Sequence, residues 1–87
     1  MKIKDGFVLK NVAGKHIVVP IGDTAVNFSG LLTLNESGVI LFECLTQDLS
    51  EDEMVHALLE KYEVSEDQAR QDVHAFIQKL LDKGLIQ

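Results

Sequence analysis

The hydrophobic period of the chain changes once, at Asn35, and that change limits the folds open to it. Between Phe7 and Leu34, residues of the Val, Ile, Leu, Phe and Thr types come in short runs broken by glycines and by Pro20, which is how strands and turns are written. After Asn35 the apolar positions recur at helical spacing behind recognisable helix starts. A chain of 87 residues has material for one hydrophobic core, so we expect a single α+β domain over residues 1–87, strands first and helices after.

The first two runs are Phe7 to Val12 and His16 to Ile21, and Ala13-Gly14 between them offers the positive φ of a tight hairpin. Pro20 has no amide donor and belongs at a strand end or an edge. Gly22-Asp23 opens a loop. Asn27 to Leu34 reads as a third strand, with Phe28, Leu32 and Leu34 on one face, Asn27, Ser29 and Thr33 on the other, and Leu31 apolar among the polar set. Asn35 is a helix N-cap, and the helix from Glu36 to about Thr46 is apolar round most of its circumference, which suits a central position. Ser50-Glu51-Asp52-Glu53 has capping-box spacing and starts a second helix that runs to about Tyr62. Ser65-Glu66-Asp67-Gln68 repeats that start, and the third helix carries the stripe Ala69, Val73, Phe76, Ile77, Leu80 and Leu81 up to Gly84, a C′ residue sealed by Leu85 and Ile86. Five glycines, at 6, 14, 22, 30 and 38, fall eight apart, but the segments between them share no pattern and make no repeat.

Charge narrows the function. Eight basic against 14 acidic residues give a net charge of −6, the wrong sign for neutralising phosphates, so no nucleic-acid partner is expected. No apolar run approaches the ~20 residues of a membrane span, so no membrane partner is expected either. A single cysteine and no signal-peptide pattern point to the cytoplasm. Cys44 lies among Phe42 and Leu45 and reads as a buried, inert thiol. His16, His56 and His74 sit on three elements without ligand spacing, and no phosphate-loop motif occurs, so the chain is expected to hold no metal or cofactor and to be no enzyme. His56 belongs to an exposed cluster with Glu53 and Glu60, while His74 lies one turn from Arg70 at the edge of the third helix's stripe.

Two features point to binding. Gly30 inside the third strand weakens it unless another backbone approaches, and a sheet edge with unpaired N–H and C=O groups accepts an added strand. An exposed edge also permits a homodimer by edge pairing. The second and third helices with their short turn, added to a hairpin, make a winged-helix-like layout, and a regulatory DNA-binding or protein-interaction domain is the alternative reading. Residues 50–87, however, carry four basic side chains against nine acidic ones, and a recognition helix opening on Glu66 and Asp67 repels phosphates.

The stretch Gly22-x-x-Ala25-x-x-Phe28-x-Gly30-x-x-x-Leu34-Asn35-x-Ser37-Gly38, with Phe42 a turn further on, resembles the PqqD family. The capped second helix, the Val64-Ser65 start and the closing Leu80-x-x-x-Gly84-Leu85-Ile86 are similar too, so the likeness covers nearly the whole chain. The resemblance implies a winged-helix-like fold, a three-stranded antiparallel sheet followed by three helices. It also implies a recognition element for ribosomally made, post-translationally modified peptides. Members bind the leader segment of a precursor peptide and present it to a modifying enzyme, often a radical SAM protein, in making cofactors, lasso peptides or thioether peptides. They are peptide chaperones without catalysis. By position, the leader would lie as an added strand on Asn27, Phe28, Ser29, Gly30, Leu31, Leu32 and Thr33, facing a wall of Arg70, Val73, His74 and Ile77 on the third helix. At least half of Val73, Phe76, Ile77 and Leu80 is expected to be ordinary core.

Overall fold

A computed structural model of the chain describes residues 1–27 and 32–86. Strands β1 (Phe7–Val12) and β2 (Lys15–Pro20) form the expected hairpin, with β2 starting one residue earlier than the sequence suggested. Ala13 and Gly14 have φ of 52° and 80°, the two positive values of a type I′ turn, whose twist matches that of the paired strands. β3 (Leu32–Leu34) pairs antiparallel with the other side of β2, giving the order β1-β2-β3.

The tight turn fixes which backbone groups point where. A two-residue loop makes Val12 and Lys15 a hydrogen-bonded pair, and antiparallel pairs then alternate along the ladder. Ile17 and Val19 therefore bond toward β1, and His16, Val18 and Pro20 face the β3 side. The Ile21 amide donating to the Gly6 carbonyl at 2.8 Å keeps the same parity. Pro20 is thus tolerated at the end of a central strand, because its missing donor is directed beyond the described ladder, which ends at Val18 opposite Leu32. On β3, Leu32 and Leu34 bond to β2, and Thr33, opposite Ile17 in a non-hydrogen-bonded pair, turns its N–H and C=O outward to the open edge.

One expectation is corrected between the strands. Asn27 does not begin a strand but ends a helical turn, α1 (Thr24–Asn27). The amides of Ala25 and Val26 donate to the carbonyls of Gly22 and Asp23, so the chain coils locally as it leaves β2, and a polar Asn merely happens to continue the alternation read across it. The expectations for Phe28, Ser29, Gly30 and Leu31 lie outside the described residues.

The helices follow their caps. In α2 (Glu36–Thr46) the Asn35 side chain accepts from the Gly38 amide at 2.8 Å and from Ser37 Oγ at 3.0 Å. α3 (Glu51–Lys61) opens on a full capping box, Ser50 and Glu53 satisfying each other's amides. α4 (Glu66–Lys83) has only half of one: Ser65 Oγ accepts from the Gln68 amide, but the Gln68 side chain donates forward to Asp72 instead of back to the cap. At its end Gly84 and Leu85 donate to the carbonyls of Leu81 and Leu80, a complete Schellman motif with Leu85 and Ile86 buried beneath it.

One core joins sheet and helices. It contains Val18, Leu32 and Leu34 from the sheet, Leu41, Phe42, Cys44 and Leu45 from α2, Met54, Val55 and Leu58 from α3, and Ala69, Val73, Ile77 and Leu80 from α4. The N-terminal segment closes it: Ile3 is buried and its amide donates to the Leu45 carbonyl, while the Lys4 amide donates to the Leu85 carbonyl. No helix among the described residues is long and apolar enough to cross a membrane.

Candidate functional site

A groove of ≈ 570 Å³ runs between the open edge of β3 and α4. Thr33, Leu34 and Asn35 form one bank, Asp72, Ala75, Phe76 and Lys79 the other, and Ser37, Gly38 and Leu41 the floor. The α4 residues are spaced i, i+3, i+4 and i+7, one continuous stripe of the helix. It adjoins the core stripe Ala69, Val73, Ile77 and Leu80, and Phe76 sits at the join, half-buried and packed against the core while still facing the groove.

The floor is close-packed for a local reason. Gly38 in the first turn of α2 leaves room for Leu34: a Cβ there would stand 3.2 Å from Leu34 Cβ and from Asn35 Oδ1. Asn35 spends its carboxamide oxygen on the helix cap, so its amide nitrogen is what it offers the groove. Across Asn35, Ser37 and Asp72 the groove continues into a second depression of ≈ 410 Å³ over Leu58, Tyr62 and Val64, edged by Glu36. Charge is graded along this path. Glu36 edges the second depression, Asp72 lies where the two meet, and Lys79, which has no ion-pair partner among the described residues, lines only the first.

The structure divides the residues expected to form the site. Thr33 is exposed and lines the groove, with its outward backbone groups along the edge. Leu32 is 4% exposed and belongs to the core by its side chain. On α4 the expected wall is displaced by part of a turn. Val73 (0% exposed) and Ile77 (6%) are buried in the core. Arg70 and His74 point toward α3: Arg70 Nη1 lies 2.7 Å from Asp52 Oδ1, Arg70 Nη2 4.0 Å from Glu66 Oε1, and His74 Nδ1 3.7 Å from Glu51 Oε1. The hydrogen bond from Arg70, with its charge, holds the Asp52 carboxyl below its ordinary 3.8 and raises the guanidinium in return. The contacts to Asp52 and Glu51 tie α4 to the first turn of α3, while Glu66 lies on α4 itself. The groove face itself is Asp72, Ala75, Phe76 and Lys79, of which only Phe76 was singled out in the sequence. A second stripe at helical spacing, beside the buried one, is the signal that locates the others.

Cys44 is buried, and burial first, then the charges of Glu43 and Glu53, push its thiol above the ordinary 9.0, toward the unreactive protonated form. Among the described residues no group of three or more His, Cys, Asp or Glu side chains is placed to hold a metal ion. His56 lies on the exposed side of α3 with Glu53 and Glu60, as read from the sequence.

Two solved structures share this architecture. A structure of TbiB1 in complex with the TbiA(beta) leader peptide is 21% identical, with a TM-score of 0.77, over 98% of this chain and 93% of that one. A structure of lasso peptide synthetase B1 complexed with the leader peptide is 15% identical, again with a TM-score of 0.77, over 97% of this chain and 93% of that one. No curated protein matches the sequence. The family of coenzyme PQQ synthesis protein D (PqqD) matches residues 8–86, from the second residue of β1 to the residue that seals the last helix, and the chain therefore belongs to the PqqD family.

Proposed function

We propose that this chain binds the leader segment of a ribosomally made precursor peptide by strand addition and presents it to a modifying enzyme, without chemistry of its own. The observation that carries the reading is the juxtaposition of an unpaired backbone edge at Thr33 with the stripe Asp72, Ala75, Phe76 and Lys79. An extended peptide on that edge gains main-chain hydrogen bonds, and its alternate side chains enter the groove over Leu41 and against Phe76. The presence of a leader peptide in both similar structures supports the same reading. Holding the leader raises the local concentration of the attached core peptide at the enzyme, a radical SAM protein in the form most often expected, so that weak recognition of the core suffices. The setting is the cytoplasm, in keeping with a single cysteine held as a buried thiol.

The test is a titration of isotopically labelled protein with a synthetic leader from the short reading frame nearest this one, followed by amide shifts. Shifts should concentrate on Leu32–Leu34 and on the α4 stripe. Thr33→Pro removes an outward amide but no ladder bond, so this variant should stay folded and lose at least about tenfold in leader affinity, the equivalent of about one main-chain hydrogen bond. Unchanged affinity in folded Thr33→Pro protein would count against strand addition at this edge.

A further inference from the structure

We propose that the outer face of the β1–β2 hairpin is the surface on which the modifying enzyme docks, through an apolar patch on the enzyme rimmed by acidic side chains. This inference rests on the leader-presentation reading above. The same parity that turns Leu9, Val18 and Leu32 inward places Val8, Val12, Ile17 and Val19 on the face away from the helices. None of these four belongs to the core cluster or packs against it, and Val12 is 52% exposed.

Charge says what kind of surface fits there. Residues 1–20 hold four lysines and one acidic residue, whereas the remainder of the chain holds four basic residues against thirteen acidic ones. Lys10 and Lys15 stand on the apolar face itself, opposite Ile17 and Val12, exposed and without an ion-pair partner among the described residues. An apolar centre with a basic rim, on a molecule of net charge −6, matches a protein surface of opposite rim charge. Nucleic acid and anionic lipid would meet the repulsion of the acidic remainder.

The position of the face gives it a second property. Lys10, Ile17 and Thr33 form one row across the three strands. A peptide added beside β3 extends that row with its own outward side chain. The enzyme would then touch protein and leader together and bind the loaded protein more tightly than the free one.

The experiment uses the purified modifying enzyme encoded beside this chain and the synthetic leader of its precursor, with binding rates measured over a salt series. The double variant Lys10→Glu with Lys15→Glu changes two exposed side chains. It should bind the leader within about twofold of the wild type, yet lose about tenfold in enzyme affinity, mainly in association rate, with a flatter salt dependence. Ile17→Thr keeps a β-branched residue on the strand and should also weaken the enzyme complex while sparing leader affinity. Unchanged enzyme affinity in both variants, with the leader bound normally, overturns the docking surface. A wild-type chain that does not bind the leader overturns the underlying reading instead. Self-association, retention on DNA or adsorption to anionic vesicles that the double variant abolishes would assign the face to a second copy, a nucleic acid or a membrane, and overturn the enzyme as its occupant.

Discussion

Asp72, Val73 and His74 follow one another on α4 and serve three different surfaces, because each step round a helix turns the side chain by about 100°. Asp72 borders the groove, Val73 is sealed in the core, and His74 reaches toward Glu51 on α3. The Arg70–Asp52 ion pair on that third surface sets one prediction. A carboxyl held below its ordinary value contributes stability that is present above the unfolded value and lost as pH falls through the folded one. The wild type should therefore lose stability on acidification below pH 3.8 partly through Asp52. Arg70→Ala, which frees that carboxyl, should flatten this part of the acid limb in thermal melts, while Asp48, held down separately by the N-terminal amine, keeps its share. Gly6 sets another. It has a φ of +98°, and a Cβ there would collide with Thr24 Oγ1, so Gly6→Ala should destabilise the fold by about 1–3 kcal/mol in denaturant titration.

Elements were read well where their ends are chemically marked. Asn35, Ser50, Ser65 and Gly84 bound their helices as the sequence suggested, since each satisfies backbone groups that the helix leaves open. Ser50→Ala removes the hydroxyl that accepts from the Glu53 amide, leaving the arm from the backbone N–H of residue 50 to Glu53 Oε1, and should cost about 1 kcal/mol, a fall of about 4–8 °C in melting temperature for a domain of this size. The stretch after β2 lacked such markers. Thr24 to Asn27 is too short for a period to declare itself, and its turn is held by bonds back to Gly22 and Asp23 that no side-chain pattern records. At the same scale, the hairpin's two-residue loop fixes the direction of Thr33's backbone on the far strand, because parity passes unchanged through β2.

Across the whole molecule, the core and the groove share α4, and a substitution can report on one only if it spares the other. Val73→Asp buries an unpaired carboxylate at a position 0% exposed. It should unfold the protein, at a cost of at least about 4 kcal/mol, and a lost leader signal in that variant would report the fold, not the groove. Circular dichroism at room temperature checks this directly. Thr33→Pro is the informative partner, because its change falls on the open edge.

By itself the sequence determined the order of the three strands and of the three long helices after them, the caps, the hairpin, the buried cysteine and the sign of the charge. All of these follow from local chemistry or simple counting, and the resemblance carried by Gly22 to Gly38 pointed to the same fold. Tertiary structure alone decided which side of α4 faces β3. A stripe that includes Val73, Phe76 and Ile77 is apolar whether it meets core or ligand. Only the packing of α3 against one flank of the helix and of β3 and α2 near the other assigns Arg70 and His74 to a staple and Asp72, Ala75, Phe76 and Lys79 to the groove. The physical reason is that periodicity encodes that a helix has an apolar face, while the neighbours that cover it come from parts of the chain distant in sequence.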